Sequence, residues 1–156
     1  MPSILLTSTR ILTVFVAALA ASPVQSTSLD WRTIDFKQGH PLVGESLEQS
    51  LDNSARSQIE NLRVNVSILK EYPAVPYDLM GRANKIECSP AACMALSERR
   101  AQLVYDYLLE QGIPACQIKS VIAAGINSPV APPSVDAPHD RSVDLLVTRG
   151  ESCRMP

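Results

Sequence analysis

The side chains best suited to covalent or metal chemistry are four cysteines, Cys88, Cys93, Cys116 and Cys153, and two histidines, His40 and His139. Nucleophilic catalysis needs a thiol or hydroxyl beside an activating base, and a zinc site needs cysteines and histidines in closely spaced pairs. The zinc spacing does not occur; spacing leaves a Cys–His nucleophile pair open, but cysteines of an oxidising compartment are more often tied up as disulfides. There is no Cys-x-x-Cys pair and no histidine within four residues of a cysteine, and no Gly-x-Ser-x-Gly, His-Glu-x-x-His or phosphate-cradling glycine loop is present. Both histidines adjoin prolines in stretches that read as loops. The expectation is a protein that is not an enzyme, with no metal and no cofactor. An even cysteine count suggests disulfides in an oxidising compartment. Four cysteines allow three pairings, of which Cys88–Cys93 with Cys116–Cys153 is favoured. The first staples a short loop; the second ties the C-terminal tail to the body. Loop entropy puts the two at about 2 and about 4 kcal/mol as upper estimates.

The N-terminus supports that compartment. Arg10 precedes an apolar run, Ile11 to Ala21, which ends in the small-x-small pattern Ala18-Leu19-Ala20 before Pro23. These are the parts of a secretory signal peptide. The run is too short for a membrane anchor, which needs about 20 apolar residues. No cysteine lies near the expected cut, so lipid anchoring is not expected. Residues 1–21 then form the signal peptide, 22–30 a short linker, 31–150 one domain and 151–156 a tail. About 135 residues remain, enough to bury a core. Aromatics are 4% of the chain, so that core must be mainly aliphatic. A net charge of -2, with no stripe of basic residues, argues against nucleic acid as a partner.

The elements follow from periodicity. Trp31 to Lys37 alternates loosely and reads as a strand. A long helix is expected from a capping box at Ser46 and Gln49, with Leu47, Leu51, Ala55, Ile59, Leu62, Val66 and Leu69 at steps of three or four. Pro73 and Pro76 end it. Val75 to Gly81 reads as a second strand and residues 82–95 as a loop. A second helix is expected from Ser97, its N-cap, to Gln111, with Glu98 facing the dipole and Gly112 as the C-cap residue. Gln117 to Ala124 and Ser142 to Thr148 read as further strands, separated by a proline-rich loop. The alternation predicts some parallel pairing with helices packed on a sheet.

Leu96-Ser97-Glu98-Arg99-Arg100-Ala101-Gln102-Leu103-Val104-Tyr105-Asp106-Tyr107-Leu108, leading into Gly112-Ile113, carries a resemblance. It is similar to the second helix of OmpA-like C-terminal domains, Leu-Ser-x-x-Arg-Ala-x-x-Val-x-x-Tyr-Leu followed by Gly-Ile. Gly81-Arg82-Ala83-Asn84 stands where that family has Gly-His-Thr-Asp. Ala124-Gly125 through Pro129-Val130 resembles its Gly-Glu-x-x-Pro-Val loop, and Asp140-Arg141-Ser142-Val143-Asp144 its Asn-Arg-Arg-Val-Glu. The resemblance covers residues 77–149 well and Trp31 to Leu69 in outline. It implies an α+β fold, a β-α-β-α-β-β sandwich with two main helices on a mixed four-stranded sheet. It also implies a function: non-covalent association with peptidoglycan through the zwitterionic tip of the diaminopimelate stem peptide. In the family, the motif Asp meets the ammonium and the helix Arg binds the carboxylate, where a planar guanidinium can engage both oxygens.

Arg100 keeps that Arg. Asn84 replaces the Asp and carries no charge, which weakens binding by about 1–2 kcal/mol, roughly tenfold. Cys93 stands where the family often has an Asn, and Ser142 replaces the second Arg of the final motif, leaving Arg141. Glu87, three residues after Asn84, could restore a negative charge if the Cys88–Cys93 bridge turned it inward. The candidate ligand-binding set is therefore Asn84, Glu87, Arg100 and Arg141. The expected protein is an exported periplasmic module without a membrane span, associated with peptidoglycan through a weakened site, with outer-membrane association requiring a partner. The alternative is an interaction protein that kept the fold, lost the wall ligand and binds another envelope protein.

Overall fold

In the computed structural model, residues 30–130 and 138–153 are described. The expected signal peptide, nearly all of the linker, residues 131–137 of the proline-rich loop and residues 154–156 lie outside them. No helix among the described residues is long and apolar enough to cross a membrane.

Four strands form one mixed sheet: β1 (Ile34–Asp35), β2 (Tyr77–Gly81), β3 (Ile118–Ala123) and β4 (Ser142–Val147), in the order β1-β4-β2-β3. β2 pairs parallel with β3, and β4 pairs antiparallel with both β2 and β1. Tyr77, Leu79 and Gly81 lie on the buried face of β2, where Leu79 opposes Leu145 and Gly81 opposes Val143 on β4. The core is largely aliphatic, as the composition requires. Ile34, Leu62, Leu69, Leu79, Val104, Leu108 and Val143 are fully buried, joined by Phe36 and Tyr77. Burying one such aliphatic side chain contributes about 1.5–3 kcal/mol.

The first expected helix is two: α1 (Leu47–Ser50) and α2 (Ala55–Glu71). The Ser46–Gln49 capping box is present. Leu51 then turns extended and bridges to Phe36, and Asp52 Oδ1 accepts from the backbone N–H and hydroxyl of Ser54. Asp52, Asn53 and Ser54 are residue types whose side chains compete for local backbone groups, so the helix breaks there while the apolar stripe continues past the break. The apolar period was legible; the interruption needed the polar trio to be weighed against it.

The expected strand 31–37 pairs with β4 over only two residues, and its outer edge is covered by side chains. Gln58, Asn61 and Asn65 follow one another at steps of three and four along α2. Gln58 Oε1 accepts from Asp35 N (3.0 Å), Asn61 Nδ2 donates to Thr33 O (3.3 Å), and Asn65 bonds both the N–H (2.9 Å) and the carbonyl (2.7 Å) of Arg32. A row of amides takes the place of a fifth strand, satisfying an edge that would otherwise present open backbone groups.

The second main helix, α3, runs Pro90–Glu110 and not from Ser97. Ser89 precedes a proline at the first helical position, a start signal as good as Ser97. Ser97 therefore lies mid-helix, as does Glu98. The Ser97 hydroxyl donates to Met94 O and accepts from Gly125 N (both 2.9 Å), fastening the loop after β3 to α3. At the other end, Ile113 N donates to Leu108 O and Gly112 N to Leu109 O. Gly112 has φ +83°. This is a Schellman closure with Gly112 at C′. A Cβ on Gly81 would stand 2.0 Å from Ser97 O, so only glycine lets α3 lie against the end of β2. That close approach sets Arg100 beside the chain leaving β2.

Both favoured disulfides are present, Cys88–Cys93 and Cys116–Cys153.

Candidate functional site

Cys93, Leu96, Ser97, Arg100, Val104 and Leu108 recur at three- and four-residue steps on the buried face of α3. A guanidinium placed on this stripe goes into the interior. Arg100 is fully buried, so burial must be offset by hydrogen bonds. All five of its N–H donors have acceptors. Nε donates to His40 O (2.8 Å). One terminal nitrogen donates to Arg82 O (2.9 Å) and Glu87 Oε2 (3.1 Å), and the other to Lys37 O (3.1 Å) and Glu87 Oε1 (2.7 Å). Its guanidinium carbon also stands 5.6 Å from the Phe36 ring centroid, within cation–π range. Burial pulls the Arg100 pKa down from its ordinary value; the hydrogen bonds and charge of Glu87 pull it back, while Arg141 and Arg99 oppose it.

Glu87 completes the other half of the pair. Its side chain is as inaccessible as that of Arg100, with 0% exposed for both. Besides the two bonds from Arg100, Oε1 accepts from Gly39 N (2.8 Å) and Oε2 from Asn84 N (2.7 Å). Each carboxylate oxygen thus has one charged and one backbone donor. The loop that delivers it is locally folded: Glu87 N donates to Asn84 O and Ile86 N to Asn84 Oδ1 (both 3.0 Å), so the Asn84 amide oxygen shapes the turn. Cys88, next in sequence, is bonded to Cys93 in the first turns of α3.

The structure thus brings Asn84, Glu87 and Arg100 into one buried cluster. Glu87 does point inward, but towards the guanidinium, and both of its oxygens are engaged there. Arg141 is buried nearby at the entry to β4, where its carbonyl accepts from Phe36 N (2.7 Å). Arg82 forms an ion pair with Asp144, whose other oxygen accepts from Thr33 Oγ1 (2.7 Å). Arg99 lies partly exposed and donates to Pro41 O. It lines a shallow hollow of about 250 Å³ with Pro41, Leu42, Glu45 and Leu103.

The groups missed by sequence reasoning are the carbonyls of Lys37, His40 and Arg82 and the N–H of Gly39. Backbone groups leave no signature in residue type. The one available signal was Gly39 itself, whose φ of +73° turns the chain after β1 toward α3. No group of His, Cys, Asp and Glu able to hold a metal occurs among the described residues.

No family model matches the chain, and no curated protein does. Among solved structures, the chain is similar to the peptidoglycan-associated lipoprotein from Burkholderia pseudomallei, with a TM-score of 0.57 over 75% of this chain and 90% of that one. The fold is OmpA-like. At 20% identity, the likeness concerns the fold and not the ligand. The OmpA-like architecture is met by helices on a four-stranded mixed sheet, with α3 crossing between the parallel strands β2 and β3.

Proposed function

We propose that this protein is an exported cell-envelope module of the OmpA-like fold that associates with peptidoglycan stem peptides through Arg100, and that its own Glu87 closes the site. The forked contact of Glu87 with Arg100 is the observation that carries this reading. It is the contact that the carboxylate of a diaminopimelate side chain would make with a planar guanidinium. Glu87 therefore acts as an internal stand-in for the ligand's carboxylate, competing with the wall peptide instead of binding its ammonium. Ligand entry requires the loop at 84–89 to withdraw. Each 1.4 kcal/mol favouring the closed arrangement lowers apparent affinity about tenfold. This adds to the loss from the uncharged Asn84. Export through residues 1–21 and residence in the periplasm complete the reading, supported by the signal-like N-terminus and the two disulfides.

A second reading has its own support. With all five Arg100 donors satisfied internally, the cluster also suits a purely structural role, with another envelope protein as partner. Co-sedimentation with purified sacculi separates the two. The wall reading expects weak pelleting of the wild type, stronger pelleting of Glu87→Ala and none of Arg100→Ala, with folding of each variant checked by circular dichroism. If folded Glu87→Ala stays in the supernatant, the structural reading replaces it.

A further inference from the structure

We propose that the Cys88–Cys93 disulfide is a redox latch on the Glu87–Arg100 pair, and that a dithiol reductant opens the Arg100 site to an external carboxylate. The inference rests on the wall-binding reading above and adds its regulation.

The argument is one of connectivity. Cys93 and Arg100 are seven residues apart on α3, two turns along the same buried face. Cys88 adjoins Glu87. The disulfide therefore closes a short covalent circuit: from the guanidinium down two turns of helix to Cys93, across the bridge to Cys88, and back through Glu87 to the guanidinium. Within this circuit the carboxylate meets Arg100 at high effective concentration, which a longer and freer loop would lower.

The rest of the loop adds little packing. Ile86 at its tip is 50% exposed, and its apolar support is the small cluster of Ala83, Cys93 and Leu96, with Cys88 and Ile126 against it. One of those contacts is the bridge itself. The two disulfides thus differ in kind. Cys116–Cys153 spans a sequence separation of 37 and ties the tail to the body; Cys88–Cys93 spans five and governs one loop. Cys88 is half-buried while Cys93 is fully buried, so an incoming thiolate meets Cys88 first.

The exchange balances. A reductant thiolate attacks Cys88 Sγ, the S–S bond breaks, and Cys93 leaves as a thiolate that takes up a proton. The second thiol of the reductant then attacks the mixed disulfide, releasing Cys88 as a thiol. Two electrons and two protons pass to the cystine, and the reductant becomes a disulfide. Glu87 is then held by the loop's own hydrogen bonds and by its charge partner, against which an external carboxylate can compete.

Amide hydrogen exchange on the full mature chain tests this without any wall ligand. The N–H groups of Gly39 and Asn84 both donate to Glu87. On treatment with dithiothreitol, and in the Cys88→Ser/Cys93→Ser variant without reductant, their exchange is expected to rise at least tenfold, with Leu79 in β2 unchanged. The variant separates this bridge from reduction of Cys116–Cys153. Unchanged exchange at Gly39 and Asn84 in the variant overturns the latch, as does an equal rise at Leu79, which would mark general destabilisation. Sacculus pelleting of the same variant is a separate arm. Faster exchange with increased pelleting supports both proposals. Faster exchange with no pelleting by this variant or by Glu87→Ala upholds the latch and overturns the wall reading.

Discussion

Glu87 and Arg100 face one another as a fork on a fork, 2.7 and 3.1 Å apart at their two contacts, with neither side chain exposed to solvent. Under the wall-binding reading proposed above, the protein's own carboxylate takes the place that a ligand's carboxylate would need. A solvated pair of the same charges would contribute about 0–1 kcal/mol. Here the partners have left water, and the cost of removing one is set by the charge stranded behind.

Breaking the pair from either side should cost about 3–5 kcal/mol, because an uncompensated buried charge remains. Arg100→Met and Glu87→Gln are the informative single changes. Arg100→Met also strips hydrogen bonds from the carbonyls of Lys37, His40 and Arg82. The double variant is expected to lose less than the sum of the singles. A urea double-mutant cycle reads this directly, and additive losses would show that the two groups are not coupled in solution.

Gly81→Ala should destabilise by about 1–3 kcal/mol or more, since the added Cβ meets the Ser97 carbonyl, a backbone atom that cannot rotate aside. The loss should appear in the urea midpoint with the m-value unchanged. A neutral substitution would mean that α3 and β2 are not in contact at this point. Because Arg82 follows directly, the same change should disturb the Arg100 cluster.

Burial holds the Asp35 carboxyl above its ordinary pKa, with His139 pulling it back as the next largest influence. A carboxyl raised in the folded state keeps its proton to higher pH there than in the unfolded chain. Its contribution to stability is therefore complete below the unfolded pKa and is lost as pH rises through the folded one. Relative to Asp35→Asn, the wild type should lose stability as pH is raised across that window. Urea midpoints of both proteins from acid to neutral pH test it, and a constant difference would show that burial does not shift this group.

Most of the element pattern was legible because it rests on local rules. The stripe from Leu47 to Leu69, the Ser46–Gln49 box and the Gly112 stop are all written within a few residues of where they act. The errors were local as well. Ser89-Pro90 and Ser97 are both valid helix starts, and the choice between them depended on whether the first two turns of α3 could bury Cys93 and Leu96. The break at Asp52 depended on Leu51 finding Phe36, a partner fifteen residues away.

The sequence by itself determined that Arg100 lies on a helix stopped at Gly112, that the core is aliphatic, and that four cysteines suit two bridges. Each is a matter of residue type and period along one element. Only the tertiary structure decided what Arg100 touches. Its partners come from three separate stretches: the carbonyls of Lys37 and His40 after β1, that of Arg82 after β2, and the carboxylate of Glu87 in the bridged loop. The physical reason is that a buried guanidinium must satisfy all its donors at once. Which groups can converge on it depends on how the loops cross the end of the sheet, not on the spacing of residues along the chain.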